Sequence, residues 1–181
     1  PPRSTLFPYT TLFRSRLFKA VGEPNVMMKV PATKAGFSAM RQLLGTGISV
    51  NATLVFSLSQ ARKCLKAMKR GLAVFENSGG RRAEGVISIF VSRFDRELDE
   101  KLATFGISGS KTGVYNAARI YRVIEKNKAP NVRALFASTG VKDPSDLPRD
   151  YYIRELCGKH CINTAPLSTI EEYIKIGRAH V

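Results

Sequence analysis

Short apolar, β-branched runs alternate with longer amphipathic stretches along this chain of 181 residues, and no other feature restricts its fold so far. The spacing predicts strands over 26–30, 48–54, 85–91, 132–137 and 161–164. Between and after them, apolar side chains recur at helical period over 34–44, 59–70, 95–105, 115–127 and 151–156. Strand, loop and helix thus recur five times, the pattern of βα units whose strands lie parallel in one sheet.

Punctuation agrees with these boundaries. Gly45-Thr46-Gly47 is expected to close the first helix, Gly71 the second, and Pro130 the fourth. Ser57 or Ser59 is placed to cap the helix that holds Cys64 and Leu65. Asp143-Pro144-Ser145-Asp146 reads as a turn-rich loop. Both ends look foreign. Thr5 to Ser15, TLFPYTTLFRS, reads as one frame of a sequencing adapter, and Ile176 to Val181, IGRAHV, as the start of the opposite one. Residues 1–15 and 176–181 are therefore set aside as adapter-like and non-native, leaving a single domain over 16–175.

Lys and Arg number 29 against 14 Asp and Glu, a formal charge of +15 that invites a nucleic-acid reading. The excess is spread along the sequence rather than gathered in one block, and aromatic residues do not interleave with it, so no nucleic acid is expected. No apolar run is long enough to cross a bilayer, so no membrane is expected either. Cys64, Cys157 and Cys161 are an odd set without the spacing of a disulfide framework, which favours a reducing, cytoplasmic setting. Cys157, His160 and Cys161 lack a fourth ligand, and Cys157 and Cys161 are read as small buried hydrophobes rather than a metal site. GISGSK, ending at Lys111, lacks P-loop spacing and reads as a turn.

Lys29 is the charged residue of an otherwise apolar strand, Val26-Met27-Met28-Lys29-Val30. A lysine among apolar neighbours loses hydration, which disfavours the ammonium and frees the amine as a nucleophile toward carbonyls. In the second strand Ser49, Asn51 and Thr53 alternate with Ile48, Val50, Ala52 and Leu54. Covered by helices, the sheet turns the apolar set toward them and the polar set inward. Met27 and Lys29 share a face of the first strand, as Val86, Ser88 and Phe90 do on the third.

VMMKVPATKAG, GISVNATLVFS, VISIFVSRFD and LFASTGVKDP, in this order, resemble the transaldolase family of the class I aldolase superfamily. The resemblance covers essentially all of 16–175. It implies a partial TIM (β/α)8 barrel of about the C-terminal five units, since a complete barrel needs roughly 250 residues. It also implies a pentose phosphate pathway transferase that needs neither metal nor organic cofactor, acting on sugar phosphates, with a homodimer allowed for the full-length parent. Residue by residue, Lys29 matches the Schiff-base lysine, and Asn51 and Thr53 match residues that bond the substrate and orient the imine and a water. Ser88 and Arg93 match substrate-phosphate contacts, Phe90 the pocket wall between them, and Lys142 a second cationic phosphate contact. Arg93 has a plainer alternative, a helix-leading cation paired with Asp95 or Glu97.

The family's aspartate and glutamate, which assist proton transfer, are expected upstream of Arg16, and Glu23 matches neither. The chain as written is thus expected to be an inactive, poorly soluble fragment of an active enzyme. Two other readings stand beside transfer: a fructose 6-phosphate aldolase-like lyase, and a non-catalytic basic module that grips phosphate or nucleic acid.

Overall fold

The computed structural model describes residues 6–80, 83–107, 109–141 and 147–178. Five strands form one parallel sheet in chain order: β1 (Met28–Pro31), β2 (Val50–Val55), β3 (Gly85–Phe90), β4 (Val132–Ala137) and β5 (Cys161–Asn163). Helices join them: α1 (Leu6–Val21) before β1, α2 (Lys34–Gly45), α3 (Leu58–Asn77), α4 (Ser92–Ala103), α5 (Thr112–Lys126), α6 (Tyr151–Glu155) and, after β5, α7 (Leu167–Arg178). An all-parallel sheet whose strands neighbour in chain order, with a helical connection after each, is the open arc of a (β/α)8 barrel.

One layer of core lies between sheet and helices. Val30, Val50, Ile87, Ile89 and Phe136 project from the strands, and Met40, Leu43, Leu44, Met68, Ile120 and Ile124 meet them from α2, α3 and α5. Every one of these side chains is essentially sealed from water, which is what fixes the face each strand turns outward. Among the described residues no helix is long and apolar enough to cross a membrane.

Local chemistry sets the helix starts. Thr33 accepts a bond from the Gly36 amide at the head of α2. Ser57, rather than Ser59, caps α3, and Gln60 returns the bond to the Ser57 amide, a reciprocal capping box. Gly47, at φ +84°, carries the chain out of α2.

Three expectations are corrected. Gly71 does not end α3, which runs six residues further to Asn77. It is buried where α3 crosses α2, and a Cβ there would stand 2.5 Å from the Arg41 carbonyl oxygen and 2.8 Å from Leu44 Cβ. The glycine serves close helix packing, not termination. In β2 the alternation fails at Leu54, whose φ of +58° marks a register shift against β3. Leu54 turns outward and Val55 takes the buried place. Finally, α4 and α5 begin three residues earlier than predicted, and α1 and α7 have no counterpart among the predicted elements. Helix α1 crosses the boundary expected between residues 15 and 16, and α7 the one expected between 175 and 176.

Candidate functional site

The inner sheet face, opposite the helices, carries the first group of expected site residues. Parallel register sets Lys29 beside Asn51, and Asn51 beside Val86. The Ser88 hydroxyl donates to Asn51 Oδ1 at 2.6 Å, joining β2 and β3 through their inward side chains. Ser88 is buried, so this bond holds the Asn51 carboxamide in one orientation. Thr53 lies one pleat further along, opposite Pro31. Lysine, asparagine and serine are thereby brought onto one face.

Lys29 is exposed, contrary to the dehydration expected of a lysine in an apolar run. Its apolar neighbours Met28 and Val30 point to the helical layer, and β1 is an edge strand whose inner face is open. The apolar run thus buries the residues either side of Lys29 and not Lys29 itself. Arg14 of α1 donates from Nε to the Lys29 carbonyl oxygen at 2.9 Å, tying α1 to this strand.

A second group gathers at the carboxyl ends of β3, β4 and β5, the end of a βα barrel where loops build sites. There a cavity of about 660 Å³ opens between Ser92 and Arg93, the Ser138-Thr139-Gly140-Val141 segment, Thr164-Ala165-Pro166, and Tyr152. Its rim is cross-tied. Ser92 and Ser138 hydroxyls stand 2.9 Å apart, the Ser92 amide donates to the Ser138 carbonyl, and the Thr139 hydroxyl donates to the Thr164 carbonyl. Two guanidiniums, Arg93 and Arg96, and two carboxylates, Asp95 and Asp99, line it together with serine and threonine hydroxyls, so an anion entering it would be met by the arginines.

Arg93 links the two groups. Its guanidinium carbon lies 4.9 Å from the centroid of the Phe90 ring, and Phe90 in turn contacts Phe56 with ring centroids 5.3 Å apart. Of the expected residues only Arg93 borders the cavity; Lys29, Asn51, Thr53, Ser88 and Phe90 belong to the sheet face. Lys142 lies outside the described residues, directly after Val141 of the cavity wall.

The residue that sequence reasoning passed over is Asp95. Neither it nor Glu97 forms an ion pair with Arg93: Glu97 pairs with Lys101 at 3.3 Å. Asp95 is buried, accepts from the Gly113 amide at 2.6 Å and from the Tyr152 hydroxyl at 2.9 Å. It thereby fastens α4 to the heads of α5 and α6 around the cavity. Burial pushes its carboxyl above the usual range, partly offset by these hydrogen bonds, and burial beside Asp95 pushes the Tyr152 phenol up. Only its position in the first turn of a helix marked it, and many exposed aspartates share that signal.

The cysteine reading also changes in part. Cys157 is exposed and Cys161 half-buried, its thiol donating to the Gly158 carbonyl at 3.1 Å, because both flank the turn between α6 and β5 rather than entering the core. Cys64 of α3 is the buried one, and burial pushes its thiol up to about 12.

Residues 14–180 match the family model described as Transaldolase/Fructose-6-phosphate aldolase. A transaldolase of Campylobacter jejuni strain RM1221 is 48% identical over 165 residues, covering 87% of this chain and 49% of that relative. A transaldolase of Helicobacter pylori strain Shi470 is 43% identical over 159 residues, covering 88% of this chain and 46% of that relative. The chain thus spans about half the length of the curated relatives it matches. A family match over nearly all of a parallel βα arc, with a relative 48% identical over 165 residues, places the chain in the transaldolase/fructose-6-phosphate aldolase family.

Proposed function

We propose that the complete protein carrying this chain is a transaldolase, moving a dihydroxyacetone unit from a ketose phosphate, sedoheptulose 7-phosphate or fructose 6-phosphate, to an aldose phosphate through an imine on Lys29. The observation that carries this reading is the register of β1 on β2, which sets Lys29 beside an Asn51 already oriented by Ser88. The working core of this reading is residues 16–175. Cytoplasmic sugar-phosphate metabolism in the pentose phosphate pathway, a homodimer of the full-length protein, and no dependence on metal or nucleic acid go with the same reading.

The Lys29 amine attacks the ketose carbonyl, and loss of water leaves an iminium. The carbon–carbon bond beyond the adjacent carbinol then breaks: the aldose phosphate departs as an aldehyde, and the electron pair passes to the iminium nitrogen, giving an enamine. The enamine carbon adds to the acceptor aldehyde, and water releases the new ketose and the free amine. Splitting one high barrier into several lower ones is the benefit of the covalent route. Asn51 and Thr53 hydrogen-bond the substrate hydroxyls and the water. Arg93, with Lys142, takes the phosphate, Ser88 holds the Asn51 carboxamide, and Phe90 supports the Arg93 guanidinium on its ring face. Proton transfer belongs to the two carboxylates expected ahead of residue 16.

The test is borohydride reduction of the complete protein during turnover with fructose 6-phosphate. A reduced three-carbon adduct on the Lys29 peptide is expected, and Lys29→Arg should lower the rate by about a thousandfold or more, some 4 kcal/mol of barrier. An intact, unmodified Lys29 peptide from a turning-over sample would end this reading. The aldolase-like lyase shares the adduct and parts from transfer in releasing the three-carbon unit without an acceptor. A non-catalytic module forms no adduct at all.

A further inference from the structure

Positive charge that is scattered in the sequence converges on the outer face of the helical layer. Arg62, Lys66, Lys69 and Arg70 fall at intervals of four, three and one along α3, one stripe on the side away from the buried Cys64, Met68 and Leu72. Lys126 joins them from α5, across a groove of about 580 Å³ with Leu65 and Val123 in its wall. All five cations are exposed, no carboxylate borders the groove, and none of the five forms an ion pair with a described residue. Arg62 with Lys66 and Lys66 with Arg70 are like charges one helical turn apart, an arrangement that weakens a helix unless an anion neutralises it.

We propose that this α3–α5 groove is a binding site for an oligophosphate anion, separate from the sugar-phosphate site on the other side of the sheet. The charge stripe from Arg62 to Arg70 extends about 12 Å at 1.5 Å per residue, which suits several anionic groups in line. One phosphate would reach two of the five cations. No aromatic side chain lines the groove, so the stacking platform that single-stranded nucleic acid uses is missing. Two guanidiniums and three ammoniums supply directed and rotatable donors for phosphate oxygens.

The experiment is calorimetric titration of the complete protein with sodium tripolyphosphate and, separately, with ATP without divalent metal. It compares the parent with Lys66→Gln/Lys69→Gln/Lys126→Gln and with a control of equal charge, Lys19→Gln/Lys101→Gln/Lys159→Gln. The groove variant is expected to bind at least about tenfold more weakly, the order of one or more lost charge-assisted contacts. The control stays within about twofold, and both keep the parent's sugar-transfer kinetics. Equal affinity for the two probes assigns recognition to the phosphate chain, and a preference for ATP assigns it to a nucleotide; either upholds the site. The proposal is overturned if both variants weaken alike, which is attraction by net charge alone, if neither weakens, or if a single-stranded oligonucleotide binds where both probes fail. Because the readout does not involve Lys29, these outcomes are independent of the imine test.

Discussion

Asp95 shows how one buried side chain can hold together the elements around a cavity. Its two oxygens receive an amide from the head of α5 and a phenol from α6, while its own helix begins with Ser92 and Arg93 on the cavity rim. Burial raises its carboxyl, so the folded state binds the proton more tightly than the unfolded chain does. The sign follows: relative to a neutral residue, Asp95 is least costly below the unfolded value and becomes costlier as pH rises through the folded one. Asp95→Asn keeps the shape and an acceptor for Gly113, so its urea midpoint should gain on the parent's as pH is raised from about 4 to 7 in the complete protein. A gap that stays constant over that range would show that the carboxyl is not raised. Tyr152→Phe removes a donor to a buried carboxylate and should cost about 1.5–3 kcal/mol at neutral pH, read from the same melts.

At the scale of elements, α3 carries two devices of opposite legibility. Ser57 stands three residues before Gln60, a spacing that announces a cap, and the structure has the full reciprocal box. Ser57→Ala should cost about 1 kcal/mol. Gly71 carries the contrary lesson. A glycine after an apolar-periodic run reads as a stop, and only the approach of α2 explains why it lies inside a helix. Gly71→Ala gains about 1 kcal/mol of helix propensity but forces a methyl against the Arg41 carbonyl, which overpacking of about 1–3 kcal/mol outweighs. Net destabilisation in a denaturant melt is expected, and a stabilised variant would mean the helices part without penalty. Strand order and helix identity were legible because period and punctuation are local. Leu54, Gly71 and the exposure of Lys29 were not, because each is decided by what packs across from it: the β3 register, the α2 backbone, and the open inner face of an edge strand.

The whole molecule is an arc with two edges. β1 and β5 each pair on one side only, and the inner face between them exposes Lys29 beside half-buried Asn51, with half-buried Arg133 two strands beyond Asn51 and paired with Glu84 at 3.0 Å. That face mixes Asn51, Ser88 and Arg133 with Val86, Phe90 and Leu135, so it lacks the continuous apolar surface on which the arc could fold over itself. Unpaired parallel edges instead offer free amides and carbonyls to other copies, and a barrel removes that hazard only by closing. The four motifs in register made the family legible from the sequence, while the cavity at the ends of β3 to β5 was not, since its wall is assembled from three loops far apart in the chain. The expected consequence is that these 181 residues, produced alone, associate with rising concentration in size-exclusion chromatography, melt without a sharp transition, and show no sugar transfer. The complete protein should elute at a concentration-independent size and turn over. A cooperative melt of the isolated chain as a monomer would show that the five-stranded arc seals its own edges, and measurable transfer by it would move the acid–base chemistry onto the residues of this face.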